Sequence, residues 1–168
     1  DEDMLPTLLA AAGVPDVKEQ LLKRMQVGGT TFKVHVDGYN ITDALSGRVS
    51  SPRHEFFYFN DDGSLVGLRY DQWKVVFAEQ RAHGLDVWQE SFSRLRVPKI
   101  FNSRTDPFEE AEHSWDNWKW RADRLFLLVP AQEYVGQFLY SFKEFPPSQK
   151  VGSFSLDDVM ASMQTAGK

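Results

Sequence analysis

The sequence predicts an α+β fold, a small four-stranded antiparallel sheet packed with helices. Three observations carry that expectation. Residues 54–79 hold three strand-like runs joined by tight turn signals. Residues 130–145 carry Tyr134, Val135, Phe138, Leu139, Phe142 and Phe145 in one helical stripe. The chain has 168 residues, 42% of them apolar and 14% aromatic, enough for the core of one ordinary domain.

The elements follow in order. Residues 3–13 read as a helix capped by Asp3, with Pro6 in its first turn, an apolar face of Leu8, Leu9 and Ala12, and Gly13 as its stop. Asp16 is placed to cap a second helix over 17–26, whose face is Val17, Leu21, Leu22 and Met25 and which Gly28-Gly29 ends. Phe32 to Val36 alternates apolar and polar side chains, a strand period broken by Asp37-Gly38. Residues 42–45 allow at most one helical turn before Gly47. The meander comprises strands at 56–59, 65–70 and 73–77, with Asp61-Asp62-Gly63 and Asp71-Gln72 as turns. The unbroken apolar run Val75-Val76-Phe77 calls for cover on both faces. Residues 80–98 read as polar and irregular, 99–102 as the fourth strand, and 111–125 as loop with a short helix. Pro130 suits the first position of the long helix, which Pro146-Pro147 ends. Ser155, with Asp158 three residues on, suggests a last helix.

Composition excludes several functions. Twenty-four acidic and 19 basic residues give a net charge of −5, and no basic face for nucleic acid stands out. No apolar run reaches the about 18 residues of a membrane span. With no cysteine there is no disulfide, zinc thiolate or cysteine nucleophile in this chain. The opening Asp1-Glu2-Asp3-Met4, without an initiator methionine or signal-peptide pattern, suggests a start inside a larger protein, the alternative being a mature N-terminus left by signal removal.

Candidate chemistry is sparse. None of His35, His54, His83 and His113 has another at helical metal-pair spacing. His35 and Asp37, two apart on the expected strand, would face one side, either for a ligand or to bond the backbone. Trp115 and Trp118, three apart with Trp120 close by, suit stacking on a sugar ring or packing in a core or interface. Glu109, Glu110 and Glu112 beside Asp106 read as a solvated acidic face, and Asp61-Asp62-Gly63 as a turn. Glycine-rich phosphate loops and the Gly-x-Ser-x-Gly elbow are absent. On residue chemistry alone, the chain has no self-contained active site.

Several segments, taken in order, carry a resemblance. They are Asp3-Met4-Leu5-Pro6-Thr7-Leu8-Leu9, Ala12-Gly13-Val14-Pro15, Lys33-Val34-His35-Val36-Asp37-Gly38-Tyr39-Asn40 and Leu45-Ser46-Gly47. They continue as Ser51-Pro52-Arg53, Glu55-Phe56-Phe57-Tyr58-Phe59, Leu68-Arg69-Tyr70, Trp73-Lys74-Val75, Phe101-Asn102, Arg104, Asp106-Pro107-Phe108-Glu109 and Phe145-Pro146-Pro147. Together they resemble the C-terminal part of bacterial arylsulfatases. The resemblance implies that residues 1–50 are the tail of an alkaline-phosphatase-like α/β catalytic domain and 51–168 a C-terminal sheet subdomain with a long helix. It implies sulfate-ester hydrolysis in the intact enzyme, with a formylglycine nucleophile from a Cys/Ser-x-Pro-x-Arg motif and calcium as cofactor. Those groups lie upstream of the matched segments, so catalytic, cofactor and metal residues in this chain are expected to be none. The near miss Ser50-Ser51-Pro52-Arg53-His54 has His where the motif needs Arg. The implied role is scaffold and substrate-cleft rim, with His35, Asp37, Trp115 and Trp118 as rim candidates. The implied partner is the upstream catalytic domain, with the sulfate-ester substrate met only in the intact enzyme. Family analogy points to a periplasmic or secreted place, and uncovered apolar helix faces to self-association in isolation. Competing readings are a stand-alone carbohydrate- or protein-binding module using the Trp-rich segment, and a degenerate relative that kept only the scaffold.

Overall fold

The computed structural model describes residues 2–147, and the helix expected from Ser155 lies outside them. Among the described residues the fold is α+β, with a four-stranded antiparallel sheet, a two-stranded hairpin and helices. The chain divides into two compact units. One comprises residues 2–54 with 141–146, the other 55–140 with 147.

In the first unit, α1 (Met4–Ala11) and α2 (Val17–Lys23) are shorter than their apolar periods suggest. Asp3 precedes α1 but makes no side-chain cap; its carboxylate is committed elsewhere. Pro6 and Thr7 are the buried residues of α1, while Leu8, expected in its apolar face, is 60% exposed. Arg24, at φ 87°, ends α2, and β1 (Met25–Val27) then pairs with β2 (Thr30–Phe32). Gly28 and Gly29, expected to stop a helix, are the two-residue loop of this hairpin. Both hold positive φ, as a type I′ turn requires. The strand expected over 32–36 therefore stops at Phe32, because among the described residues no strand pairs with 33–36. α3 (Thr42–Leu45) is the single turn expected.

The second unit is built on β3 (Glu55–Phe59), β4 (Leu65–Tyr70), β5 (Trp73–Glu79) and β6 (Ser93–Asn102), neighbours in that order. Gly63 closes the first turn at φ 70°, and Ser64 N–H donates to Asn60 Oδ1 at 2.8 Å. β6 begins well before residue 99. Its ladder with β5 pairs Val76 with Lys99, then resumes at Ala78 and Arg94. Pro98 falls in the skipped stretch, where its missing N–H costs no ladder bond. Register aligns Phe57, Leu68, Val75 and Ile100 across all four strands. α5 (Leu128–Ser141) packs on this sheet, and Leu68, Val75 and Ala131 form the buried centre. Phe138 stacks on Phe57 at 3.9 Å and 10°, adding about 1 kcal/mol to the area both rings bury. Pro130 is the third helical residue, still within the first turn, and the helix ends at Ser141, four residues before Phe145.

The opposite sheet face is also covered. Lys74 Nζ meets Glu109 Oε1 at 2.6 Å, and Lys99 bridges Glu79 and Glu112. Glu109 and Glu112 thus belong to no free acidic face: strand lysines hold the segment before α4 (Asn117–Ala122) onto the sheet. The Lys99 hydrogen bond holds the Glu79 carboxyl below the usual range. Burial pulls the Lys99 ammonium down, but Glu112 and Glu79 outweigh it and the net shift is upward.

Candidate functional site

In the first unit, His35 Nδ1 lies 3.0 Å from Asp37 Oδ1, so these two rim candidates do meet. Irregular chain, and no paired strand, brings them together. The His35 ring also lies 5.5 Å from the ring of Phe145. Trp115 and Trp118, in the second unit, are 93% and 68% exposed, so neither is a core residue.

Sequence reasoning missed the anchor around Asp3. Arg53 donates to Asp3 through Nε at 2.7 Å and Nη2 at 2.6 Å, and Tyr39 N–H donates to Asp3 Oδ1 at 2.7 Å. Glu2 adds a carboxylate 3.1 Å from Arg53 Nη1. Thr7 Oγ1 donates to the Asp3 carbonyl at 2.5 Å and accepts from Ile41 N–H at 3.1 Å. The Arg53 of the near-miss motif is thus a structural tie between chain segments. Its bonds to Asp3 hold that carboxyl below the usual range, against burial, with Tyr39 N–H helping.

A depressed carboxyl pKa stabilises the fold fully above the unfolded value, and that stability is lost as pH falls through the folded one. Asp3→Asn is therefore expected to cost about 2 kcal/mol near neutrality. The cost should shrink as pH drops below about 4. Urea midpoints at two pH values check this; a cost unchanged in acid would exclude the ion-pair account.

Among the described residues, no group of three or more His, Cys, Asp or Glu side chains is placed to hold a metal ion. The calcium implied by the resemblance finds no ligand set among them, and no chemical step is routed through it. No helix among them is long and apolar enough to cross a membrane.

A cavity of mixed polar and apolar lining lies at the end of β6 beside α4. Ile100, Phe101, Asn102, Asp106, Asp116, Asn117 and Trp120 are among the residues that line it. Asp106 holds the intervening chain by accepting from Glu110 and Ala111 N–H at 3.1 and 2.9 Å. A second cavity, almost wholly apolar, lies between β4, β5 and α5, with Trp73, Tyr70 and Tyr134 in its lining. The Tyr134 hydroxyl is 3.4 Å from that of Tyr70, and this contact first, burial second, pushes its pKa up to about 12.

The chain matches no protein-family model and no curated protein.

Proposed function

We propose that this chain is the C-terminal portion of an arylsulfatase-like sulfuric ester hydrolase. It buttresses the catalytic domain and forms part of the substrate-cleft rim, without supplying the reacting groups. The observation that carries the reading is the antiparallel sheet with α5 packed on it, in a chain whose segments resemble that family in order. The outward apolar side chains of α1 add support. Met4, Leu5 and Leu8 are 49%, 53% and 60% exposed, a face suited to an upstream domain or, in isolation, to self-association. The His35–Asp37 pair is the rim element with a defined geometry.

The isolated 168-residue chain, supplied with calcium, is expected to hydrolyse no aryl sulfate above the uncatalysed rate. Robust turnover would overturn the reading. Coding sequence directly upstream should contain a Cys/Ser-x-Pro-x-Arg motif.

The exposure of Trp115 and Trp118 favours a second reading, a module that binds carbohydrate or a partner protein through these rings. Glycan-array binding lost in Trp118→Ala, with the fold retained, would select it.

A further inference from the structure

We propose that the cavity between the end of β6 and α4 is a site for a small, neutral, polyhydroxylated ligand of single-sugar size. The proposal deepens the carbohydrate form of the second reading but rests on other residues than its exposed tryptophans.

Two independent observations meet there. The first is the cavity, about 260 Å³, just below the about 300 Å³ at which typical ligand clefts begin. That suits one ring and excludes a long chain. The second is Asn117, which lines the cavity and is only 8% exposed. Among the described residues its Nδ2 finds no acceptor, and solvent does not reach it. A buried amide donor left unpaired is costly, and native structures rarely keep one without a partner. Asn117 lines the cavity, so the acceptor its amide lacks is assigned to a ligand oxygen there.

The other walls define the ligand further. Asp106 is already occupied by two backbone N–H groups. Asp116 takes no hydrogen bond or ion pair through its carboxylate among the described residues, so it is open to hydroxyl donors. The lining holds these two carboxylates and no Lys, Arg or His, which disfavours an anion. Trp120 offers an indole wall, held by Trp73 at 6.2 Å and by the Arg124 guanidinium at 4.2 Å. An acceptor for the amide, hydroxyls for Asp116 and a C–H face for Trp120 coincide in a neutral sugar.

The test is an NMR titration of the full 168-residue chain with D-galactose and with N-acetyl-D-glucosamine, with glucose 6-sulfate as the anionic control. At least one neutral sugar should give saturable shifts at the Asn117 side-chain amide and the Trp120 indole N–H, and the sulfated sugar should bind more weakly. Asn117→Leu should weaken binding about tenfold without lowering the melting temperature, since it removes an unpaired buried amide. Asp116→Asn, on an exposed side chain, should also weaken binding and decides the matter if Asn117→Leu fails to fold. Absence of saturable shifts with both neutral sugars overturns the proposal. So does unchanged binding in a folded Asn117→Leu, or in Asp116→Asn where that variant must decide. Shifts centred on Trp115 and Trp118 also overturn it, while supporting the second reading. None of these outcomes bears on aryl-sulfate turnover, so this proposal and the hydrolase reading fail separately.

Discussion

Ile100→Ala is expected to cost the second unit about 2–5 kcal/mol, the range for truncating a fully buried aliphatic side chain. Ile100 is 1% exposed, the lowest among the buried core residues, and sits opposite Val75 in the ladder of β5 with β6. Its loss removes the transfer energy of the deleted atoms and leaves a void that the paired backbone of β5 and β6 resists closing. A domain of this size is stable by about 5–15 kcal/mol in total, so the change consumes a large share. The readout is convenient because all five tryptophans lie between Trp73 and Trp120, within the second unit. Urea unfolding followed by tryptophan fluorescence should show a lower midpoint, with Ile100→Val intermediate. A midpoint shift of less than about 1 kcal/mol would mean that the row from Phe57 to Ile100 is not the packed centre.

Much of this sheet is legible in the sequence because local signals and tertiary structure agree there. Strand alternation, Gly63 at a positive-φ turn and a two-residue link at Asp71-Gln72 place β3, β4 and β5 with little need for distant information. The first half of β6 is not legible. Ser93 and Arg94 are strand residues because Glu79 and Ala78 pair with them, and Pro98 disguises the run. The opposite error occurs at 33–36, where alternation is present but, among the described residues, no neighbouring strand uses it. Gly28-Gly29 signals a break in either reading; only the pairing of Met25–Val27 with Thr30–Phe32 makes it a hairpin loop and not a helix stop.

The candidate sites divide the same way. His35 and Asp37 are close in sequence, and their meeting could be read from spacing, though not the irregular chain that brings it about. The ties of Glu109 to Lys74 and of Asp3 to Arg53 span 35 and 50 residues, so a carboxylate run alone looks solvated. Once the meander register is known, period two puts Lys74 and Val76 on one face, and Lys99 opposite Val76 joins them. That step would have located the cover for Glu109 and Glu112. Trp120 was legible only as a member of the tryptophan cluster and Asn117 had no signal, since their meeting depends on a cavity formed by the end of a distant strand.

Gly38→Ala is expected to be the most disruptive single change in the first unit, although it adds only one methyl group. The added Cβ would fall inside the van der Waals shell of the Glu2 carbonyl oxygen, 2.9 Å from the Glu2 carbonyl carbon and 3.0 Å from Pro6 Cγ. Two of these three atoms are backbone, and Pro6 is among the most deeply buried side chains, so no flexible group can give way. The residues that would have to move carry the anchor. Glu2 and Asp3 hold Arg53, Tyr39 N–H bonds Asp3, and Thr7 bridges α1 to Ile41. The Gly38 carbonyl also accepts from Lys18 Nζ at 3.4 Å. Overpacking of this kind costs about 3 kcal/mol, and more where backbone meets backbone. Hydrogen exchange should show lost protection at Tyr39 and Ile41 amides and through α1, with Gly47→Ala as a control whose added Cβ meets no atom within 4 Å. Because Gly47 sits at φ 74°, that control carries backbone strain of about 1 kcal/mol without a clash. If Gly38→Ala were no worse than Gly47→Ala, the close approach of residues 2 and 38 would not be a feature of the folded protein.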